Sequence, residues 1–223
     1  MGRLLLKSSS LKFPGLKSPA GAKLLTRRFF NRDPRLVSPD LLGKLIVRKE
    51  GRNLIAGRIV EVEAYLGADD LAAHAAAGRT ARNDVLWGPP GHAYVYFIYG
   101  VHYCLNISCL PDGEAGGILI RALEPVSGLE AMAAARELGD LDFDSVRDLR
   151  KLASGPGRLS EALGVTRPRD NGKDMVAPGC DLQVRDDGFV PDEIQTTPRI
   201  GITKSADMPL RYVIAGSKFL SRP

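Results

Sequence analysis

The sequence predicts an α+β fold, a single domain in which helices flank an antiparallel β-sheet. Stretches rich in β-branched and aromatic residues dominate the middle of the chain, helical stretches lie on both sides of them, and the two kinds do not alternate regularly. A length of 223 residues suits one domain, and 44% apolar residues with 26% charged residues is typical of a globular protein.

The first predicted elements are a short helix over residues 39–42, capped by Ser38, and two strands over residues 44–48 and 54–65. Residues 67–91 are polar and rich in Gly, Pro and Ala, so they are predicted to form a long loop with one helical turn. Loops of that length in compact domains are usually functional.

Two further strands, AYVYFIYG and HYCLNIS, are predicted to meet at a sharp bend at Tyr99 and Gly100. The stretch GGILIRALEP is predicted to form another strand. Residues 125–130 are predicted to lead into a helix that ends at about residue 138. Residues 139–150 show only weak structure, and the Gly-Pro-Gly at 155–157 is predicted as a hinge before a last helix. Turns and short strands follow residue 178.

Residues 1–25 are predicted to be a flexible basic tail ahead of a folded domain over residues 26–223. Residues 1–32 hold eight Lys or Arg and no acid, so with a whole-chain charge of +5, residues 33–223 carry +5 − 8 = −3. The tail is expected to add nonspecific phosphate affinity or to be an organelle transit segment. The folded part binds nucleic acid only if it carries a local basic patch.

Three cysteines, an odd number, argue against a disulfide framework and favour a reducing compartment. No apolar run approaches the ~20 residues that span a bilayer. We expect a soluble protein with no membrane partner, in the bacterial cytoplasm with the nucleoid, or in the nucleus or an organelle of a eukaryote. No metal and no cofactor are expected, because zinc-ligand spacing and glycine-rich nucleotide motifs are missing from the sequence.

Alternation along the strand over residues 54–65 places two carboxylates on one face. Glu61, Glu63 and Tyr65 share a face with Ile59, at the end of the strand that enters the long loop. A solvated strand face would explain this pattern, and so would a catalytic carboxylate beside an aromatic platform. A pair of acids acting as a sugar hydrolase is disfavoured, because both would approach the substrate from the same side.

The predicted hairpin is rich in tyrosine. Tyr94 and Tyr96 point to one side of its first strand, and His102, Cys104 and Asn106 alternate along the second. These aromatic residues suit a sheet core, but a bend would expose Tyr99 at the tip. An exposed aromatic residue at a β-turn is also suited to wedge between base pairs.

Several charged residues fit a binding site without defining one. Arg121 lies in an apolar strand, where an unpaired guanidinium is costly, and Glu63 is its expected partner. His74 in the long loop suits either a ligand contact or the surface. Arg79 and Arg82 are spaced for contacts to phosphates, as in many exposed loops.

The ordered motifs EVEAY, YVYFIYG and RALEP, with a spaced histidine between the first two, resemble the 3-methyladenine (alkyladenine) DNA glycosylase family. The similarity extends from about residue 41 to 222 and includes SGPGRLSEALGV and TTPRIGITKSADMPLRYVIAG. The resemblance implies a curved antiparallel sheet with a protruding, DNA-inserting β-hairpin. It implies a monomeric, monofunctional hydrolase of base excision repair whose partner is double-stranded DNA containing damaged purines.

The resemblance also implies roles for the residues that handle the flipped base. Tyr99 corresponds to the residue that intercalates into the gap left by the flipped nucleotide. Tyr65, His74 and Tyr96 correspond to residues that sandwich and hydrogen-bond the base.

The implied chemistry needs one carboxylate. Glu63 corresponds to the general base, Arg121 to the arginine beside the catalytic water, and Asn106 to the asparagine that excludes normal guanine. Arg158, together with Arg79 and Arg82, is expected to contact the DNA backbone.

The chain departs from the family pattern at a few positions. Ser154 stands where Asn is expected, Arg158 where Lys is common, and Leu86-Trp87 replaces Met-Phe. These differences leave open a damaged-DNA-binding module without catalysis. They also leave open the preferred lesion among 3-methyladenine, 7-methylguanine, hypoxanthine and ethenoadenine.

Overall fold

The computed structural model describes residues 19–51 and 53–222 of the chain. Within that part, nine strands form one curved antiparallel sheet in the order β1-β7-β2-β3-β6-β5-β4, with β9 pairing to β3 and β8 to β9. The strands are β1 (Lys23–Leu24), β2 (Leu45–Glu50), β3 (Asn53–Tyr65), β4 (Ala93–Ile98), β5 (His102–Ser108), β6 (Gly117–Ser127), β7 (Leu182–Asp186), β8 (Ile194–Thr197) and β9 (Arg211–Ile214).

Helices cover the sheet and complete an α+β domain, as the sequence predicts. They are α1 (Arg27–Phe30), α2 (Pro34–Leu41), α3 (Leu129–Ala135), α4 (Val146–Ala153), α5 (Pro156–Ala162) and α6 (Arg167–Asp170), with single 3-10 turns at Pro19–Gly21 and Asp84–Trp87. The largest core cluster joins apolar side chains of β3, β5 and β6 to those of α3, α4 and α5. None of the described helices is long and apolar enough to cross a bilayer.

Strand β3 bends the sheet and carries the two acids. Its first half pairs with β2, and its end pairs with β9 across residues 61–63, while β6 runs along its other edge. The register against β6 shifts on both sides of Glu61, and such bulges increase local twist and bending. Near its C-terminal end β3 contacts the segments that follow β8 and β9, because Glu63 accepts the Ile200 N–H and Glu61 accepts the Ser221 N–H.

Two helix boundaries differ from the prediction, the start of α2 and the end of α3. Helix α2 begins at Pro34 with Asp33 as its cap, because the Asp33 carboxylate accepts the Arg35 backbone N–H at 2.8 Å. Ser38, the predicted cap, lies buried inside that helix. Helix α3 starts at Leu129, after Pro125, which stays in β6 at a register shift, where a strand tolerates proline. The helix ends at Ala135, before Glu137 with its positive φ of 51°, rather than near residue 138.

The segment predicted to have weak structure also contains a helix. Helix α4 occupies Val146–Ala153, and its Leu149 and Leu152 are fully buried in the core. Tertiary burial of this apolar face therefore outweighs the charged composition of the segment.

The N-terminal boundary lies earlier than residue 26. Lys23 and Leu24 pair with β7, and Ala22 is buried beneath Leu45 and Val47, so residues 22–24 belong to the folded domain. The remainder of the predicted tail, up to residue 18, lies outside the described residues.

The predicted hairpin is present. β4 and β5 pair from Ala93↔Ile107 to Ile98↔His102, and residues 99–101 form its tip. Tyr99 and Gly100 both have positive φ, 55° and 70°, which allows the tight reversal. The Tyr99 side chain is 82% exposed, so it lies outside the core.

Candidate active site

A cavity of about 700 Å³ lies between the inner face of the hairpin, the ends of β3 and β6, and the surrounding loops. Tyr94 and Tyr96, which alternation predicts to share one side of β4, both line it. The hairpin also contributes Ile98, Tyr99, His102, Cys104 and Asn106. The long loop adds His74, Arg82 and Leu86 to the walls, β3 adds Tyr65, β6 adds Arg121, and the loop after β8 adds Ile200. Its volume lies within the roughly 300–1,000 Å³ that is typical of pockets for small organic ligands.

The Glu63 carboxylate lies directly behind residues that line the cavity. The side chain is fully buried. Its carboxylate accepts hydrogen bonds from the Tyr65 hydroxyl at 3.0 Å and from the Ile200 backbone N–H at 2.7 Å, and it lies 3.2 Å from the Arg121 guanidinium. Those three partners all line the cavity, although Glu63 does not. The solvated strand face considered for Glu61 and Glu63 is therefore wrong.

Arg121 bridges both acids of β3. Its Nε donates to Glu61 at 2.9 Å, and its Nη1 is the group 3.2 Å from Glu63, so the predicted ion pair is present and has a second member. The charges of Glu63 and Glu61 raise the pKa of Arg121, although burial opposes protonation most strongly. The guanidinium is thus held between two carboxylates at the cavity edge.

Glu61 ties this pair to the C-terminal segment. Its carboxylate accepts hydrogen bonds from Arg211 Nε at 2.8 Å, Ser221 N at 2.6 Å and Ser221 Oγ at 2.8 Å. Burial disfavours the ionised form of Glu61, but these hydrogen bonds and the charge of Arg121 outweigh it and hold its pKa below the ordinary value.

Aromatic rings line another part of the cavity. His74 lies edge-on to Tyr96 at 4.5 Å between ring centroids, and its Nδ1 lies 2.9 Å from the Tyr94 hydroxyl. Burial, with a smaller contribution from the charge of Arg82, lowers the pKa of His74, so the ring is neutral near pH 7. Burial also raises the pKa of Tyr65 and Tyr96, so both stay protonated.

Asn106 and Cys104 of β5 also line the cavity. Asn106 donates from Nδ2 to the Tyr94 carbonyl oxygen at 3.1 Å, which fixes the orientation of its amide. The Cys104 thiol adjoins Tyr96 across the hairpin, and burial raises its pKa. Among the residues the structure describes, no group of three His, Cys, Asp or Glu side chains could hold a metal ion.

The three predicted backbone-contact arginines occupy different places. Arg82 and Arg158 line the cavity, and the guanidinium of Arg82 lies 6.0 Å from the centre of the Tyr96 ring. Arg79 is exposed, pairs with Asp84 at 2.6 Å and does not line the cavity.

Comparison with known proteins places the chain in a family. The sequence model of the methylpurine-DNA glycosylase family matches residues 28–218. The chain belongs to that family. A relative from Koribacter versatilis, provisionally named as a 3-methyladenine DNA glycosylase, is 68% identical over 197 residues, which cover 88% of this chain and 92% of the relative.

Relatives with lower sequence identity carry the same provisional name. One from Burkholderia cenocepacia is 46% identical over 205 residues, 92% of this chain and 94% of its own. One from Methanoculleus marisnigri, also 46% identical, covers 89% of this chain and 98% of its own. This glycosylase is therefore a hydrolase that acts on DNA in base excision repair, and the non-catalytic binding module is disfavoured.

The positions that depart from the family pattern lie at different distances from the cavity. Ser154 is the C-terminal cap of α4, is buried against Ala122 and does not line the cavity. Arg158 lines it, and Leu86 packs with Tyr94 in its wall. Only the latter two differences therefore reach the surface available to a ligand of this glycosylase.

The sequence analysis did not identify four residues in the C-terminal third of the chain that contact the acids of the site. Ile200, Arg211 and Ser221 contact the two acids of β3, and Arg199 forms a fully buried pair with Asp70. The only available signal was the resemblance over residues 196–222, which assigns no role to these residues.

Proposed function

We propose that this glycosylase flips an alkylated or deaminated purine nucleotide out of duplex DNA into the aromatic cavity and hydrolyses the bond between base and deoxyribose. It acts as a monomer and leaves an abasic site. The observation that carries the proposal is the buried Glu63 carboxylate, whose three hydrogen-bonding or ion-pairing partners all line that cavity.

The cavity suits a purine that carries positive charge. The rings of Tyr65 and Tyr96 stay neutral and present electron-rich faces, and a cation gains about 1–2 kcal/mol from such a face when it is desolvated. His74 is neutral near pH 7 and adds no repulsion. A base alkylated at N3 or N7 is therefore favoured over its uncharged counterpart.

The chemistry needs one carboxylate. Glu63 removes a proton from the attacking water, which Arg121 orients, while the carboxylate also stabilises the oxocarbenium-like sugar. The electrons of the breaking N-glycosidic bond neutralise a cationic base as it leaves, so no acid is required. A neutral lesion such as hypoxanthine must first be protonated on the ring.

The hairpin supports the flipped state. Tyr99, exposed at the tip, fills the gap left in the duplex, while Arg82 and Arg158 contact phosphates at the rim of the cavity. Asn106, whose amide is fixed in the cavity lining, excludes normal guanine by crowding its exocyclic amine. Flipping costs least at damaged pairs, which adds selectivity.

The test is Glu63→Gln, which keeps the shape of the side chain and removes the base. We expect normal binding to DNA with a single lesion and a loss of at least ~100-fold in the single-turnover excision rate. Glu124→Gln, a half-buried acid of β6 outside the cavity, is the matched control and keeps the wild-type rate. Near-normal turnover by Glu63→Gln would defeat the assignment.

A further inference from the structure

Arg199 lies behind the cavity rather than in it. It follows β8 in the chain, its side chain is fully buried, and it is not among the residues that line the cavity. Its two terminal nitrogens donate to both carboxylate oxygens of Asp70, at 2.5 and 2.8 Å, and to the backbone carbonyls of Ala64 and Ser205, at 3.1 and 3.2 Å. This side chain thereby links the end of β3 to two separate loops.

Asp70 connects Arg199 to the long loop that forms part of the cavity wall. Its carboxylate also accepts the backbone N–H groups of Leu66 and Ala72, at 3.3 and 3.1 Å, and so shapes the start of the long loop. The next residues of that loop carry His74 into the cavity wall. The position of His74 therefore depends on the ion pair between Asp70 and Arg199.

The same guanidinium supports two other parts of the site. Its central carbon lies 4.7 Å from the centre of the Tyr65 ring, and because Tyr65 lines the cavity while Arg199 does not, the guanidinium backs the ring from the protein side. The next residue in the chain, Ile200, donates its backbone N–H to Glu63 at 2.7 Å. A shift of Arg199 would move both the ring and this N–H.

We infer that Arg199 is a positioning residue of the glycosylase: one buried guanidinium sets the Tyr65 ring, the loop that carries His74 and the Ile200 N–H on Glu63 relative to one another. The inference rests on the proposed function, because it assumes that these three groups hold and process the flipped base. Arg199 does not touch the cavity, so it acts only through its neighbours.

The chain contains a matched control for the purely structural effect of such a pair. Arg58 is as buried as Arg199, donates to both carboxylate oxygens of Asp187 at 3.1 and 2.8 Å and to the Gly43 carbonyl oxygen at 2.7 Å, and lies over the Phe189 ring at 4.2 Å. None of these residues lines the cavity. Arg58→Lys and Arg199→Lys therefore make the same chemical change in two places.

The experiment measures single-turnover excision of 7-methylguanine from duplex DNA over a range of enzyme concentrations, with thermal unfolding of each variant. Arg199→Lys is expected to lower the rate constant at saturating enzyme by at least roughly 10-fold, towards the ~100-fold cost of a 1 Å misplacement. The half-saturating enzyme concentration should change less than the rate constant. Arg58→Lys is expected to unfold at a similar temperature and to keep the wild-type rate constant.

Equal rate constants for Arg199→Lys and Arg58→Lys would overturn the inference, whether both match wild type or both fall. If Arg199→Lys does not fold, Asp70→Asn replaces it, because this change keeps the shape of the pair and leaves the arginine on the ring. A severalfold lower rate constant for Asp70→Asn supports the inference, and a wild-type value overturns it. Failure of the proposed function looks different: wild type would release no base, or Glu63→Gln would be fully active.

Discussion

Replacing Tyr99 by alanine tests the proposed wedge with little effect on the free protein. The ring is 82% exposed at the hairpin tip, and substitutions at such positions change stability by no more than about 0.5 kcal/mol. The positive φ of 55° at residue 99 disfavours both tyrosine and alanine, so the exchange does not relieve backbone strain, as glycine would. Any large effect must therefore arise in the complex with DNA.

The size of that effect follows from what the ring replaces. An aromatic side chain stacked on a base contributes about 1–3 kcal/mol, and each 1.4 kcal/mol is a factor of ten in an equilibrium constant. Tyr99→Ala is therefore expected to weaken the flipped complex by roughly 5- to 150-fold. Tyr99→Phe keeps the ring and should retain most of that stability.

The assay is stopped-flow fluorescence of 2-aminopurine placed beside the lesion, which reports unstacking when the nucleotide leaves the helix. Tyr99→Ala should reduce the amplitude of the flipping phase and speed its reversal. Val190→Ala serves as control, because Val190 is also strongly exposed and does not line the cavity. Wild-type amplitude and kinetics for Tyr99→Ala would refute the wedge.

Two other changes test the buried titratable groups of the site. Glu61→Gln removes the negative charge that Arg121 and Arg211 share. We expect it to lower the free energy of unfolding, measured in urea, by on the order of 3–5 kcal/mol. A loss below about 1 kcal/mol would contradict the stabilising role of these ion pairs. His74→Asn removes a group whose lowered pKa makes the unfolded state bind more protons, so stability falls as pH drops below about 6.5. The variant should therefore lose less stability than wild type between pH 7.5 and 5 in thermal unfolding, and an equal loss would count against a neutral His74.

The predicted faces of the strands were confirmed because alternation in a strand is fixed by backbone geometry. Tyr94 and Tyr96 share one side of the hairpin, and Glu61 and Glu63 share one side of β3, as the period of two requires. Alternation does not predict which later segments of the chain cover a strand face. The acids are buried because β9 and Ser221, about 150 residues further along the chain, pack onto β3.

The wrong start of α2 has a local cause. Asp33-Pro34 and Ser38-Pro39 are both a capping residue followed by proline, so the sequence presents the same start signal twice within seven residues. The earlier signal is used, and the helix that results buries Val37 and Leu41 in the core. Tertiary packing, which local propensity does not contain, makes that choice.

Charge is divided between the interior of the site and its rim. Three fully buried acids, Glu61, Glu63 and Asp70, each contact a buried arginine, and the three arginines involved balance them in number: Arg121, Arg199 and Arg211. The interior of the site therefore contributes little net field at the mouth of the cavity. Under the proposed function, the DNA backbone is attracted by the arginines that line the cavity and lie outside this network: Arg82, Arg136, Arg158 and Arg222. Residues 22–223, which include the folded domain, add Lys23, Arg27, Arg28 and Arg32 to the −3 of residues 33–223 and so carry only −3 + 4 = +1. We therefore propose that this local patch, rather than the net charge, attracts the polyanion.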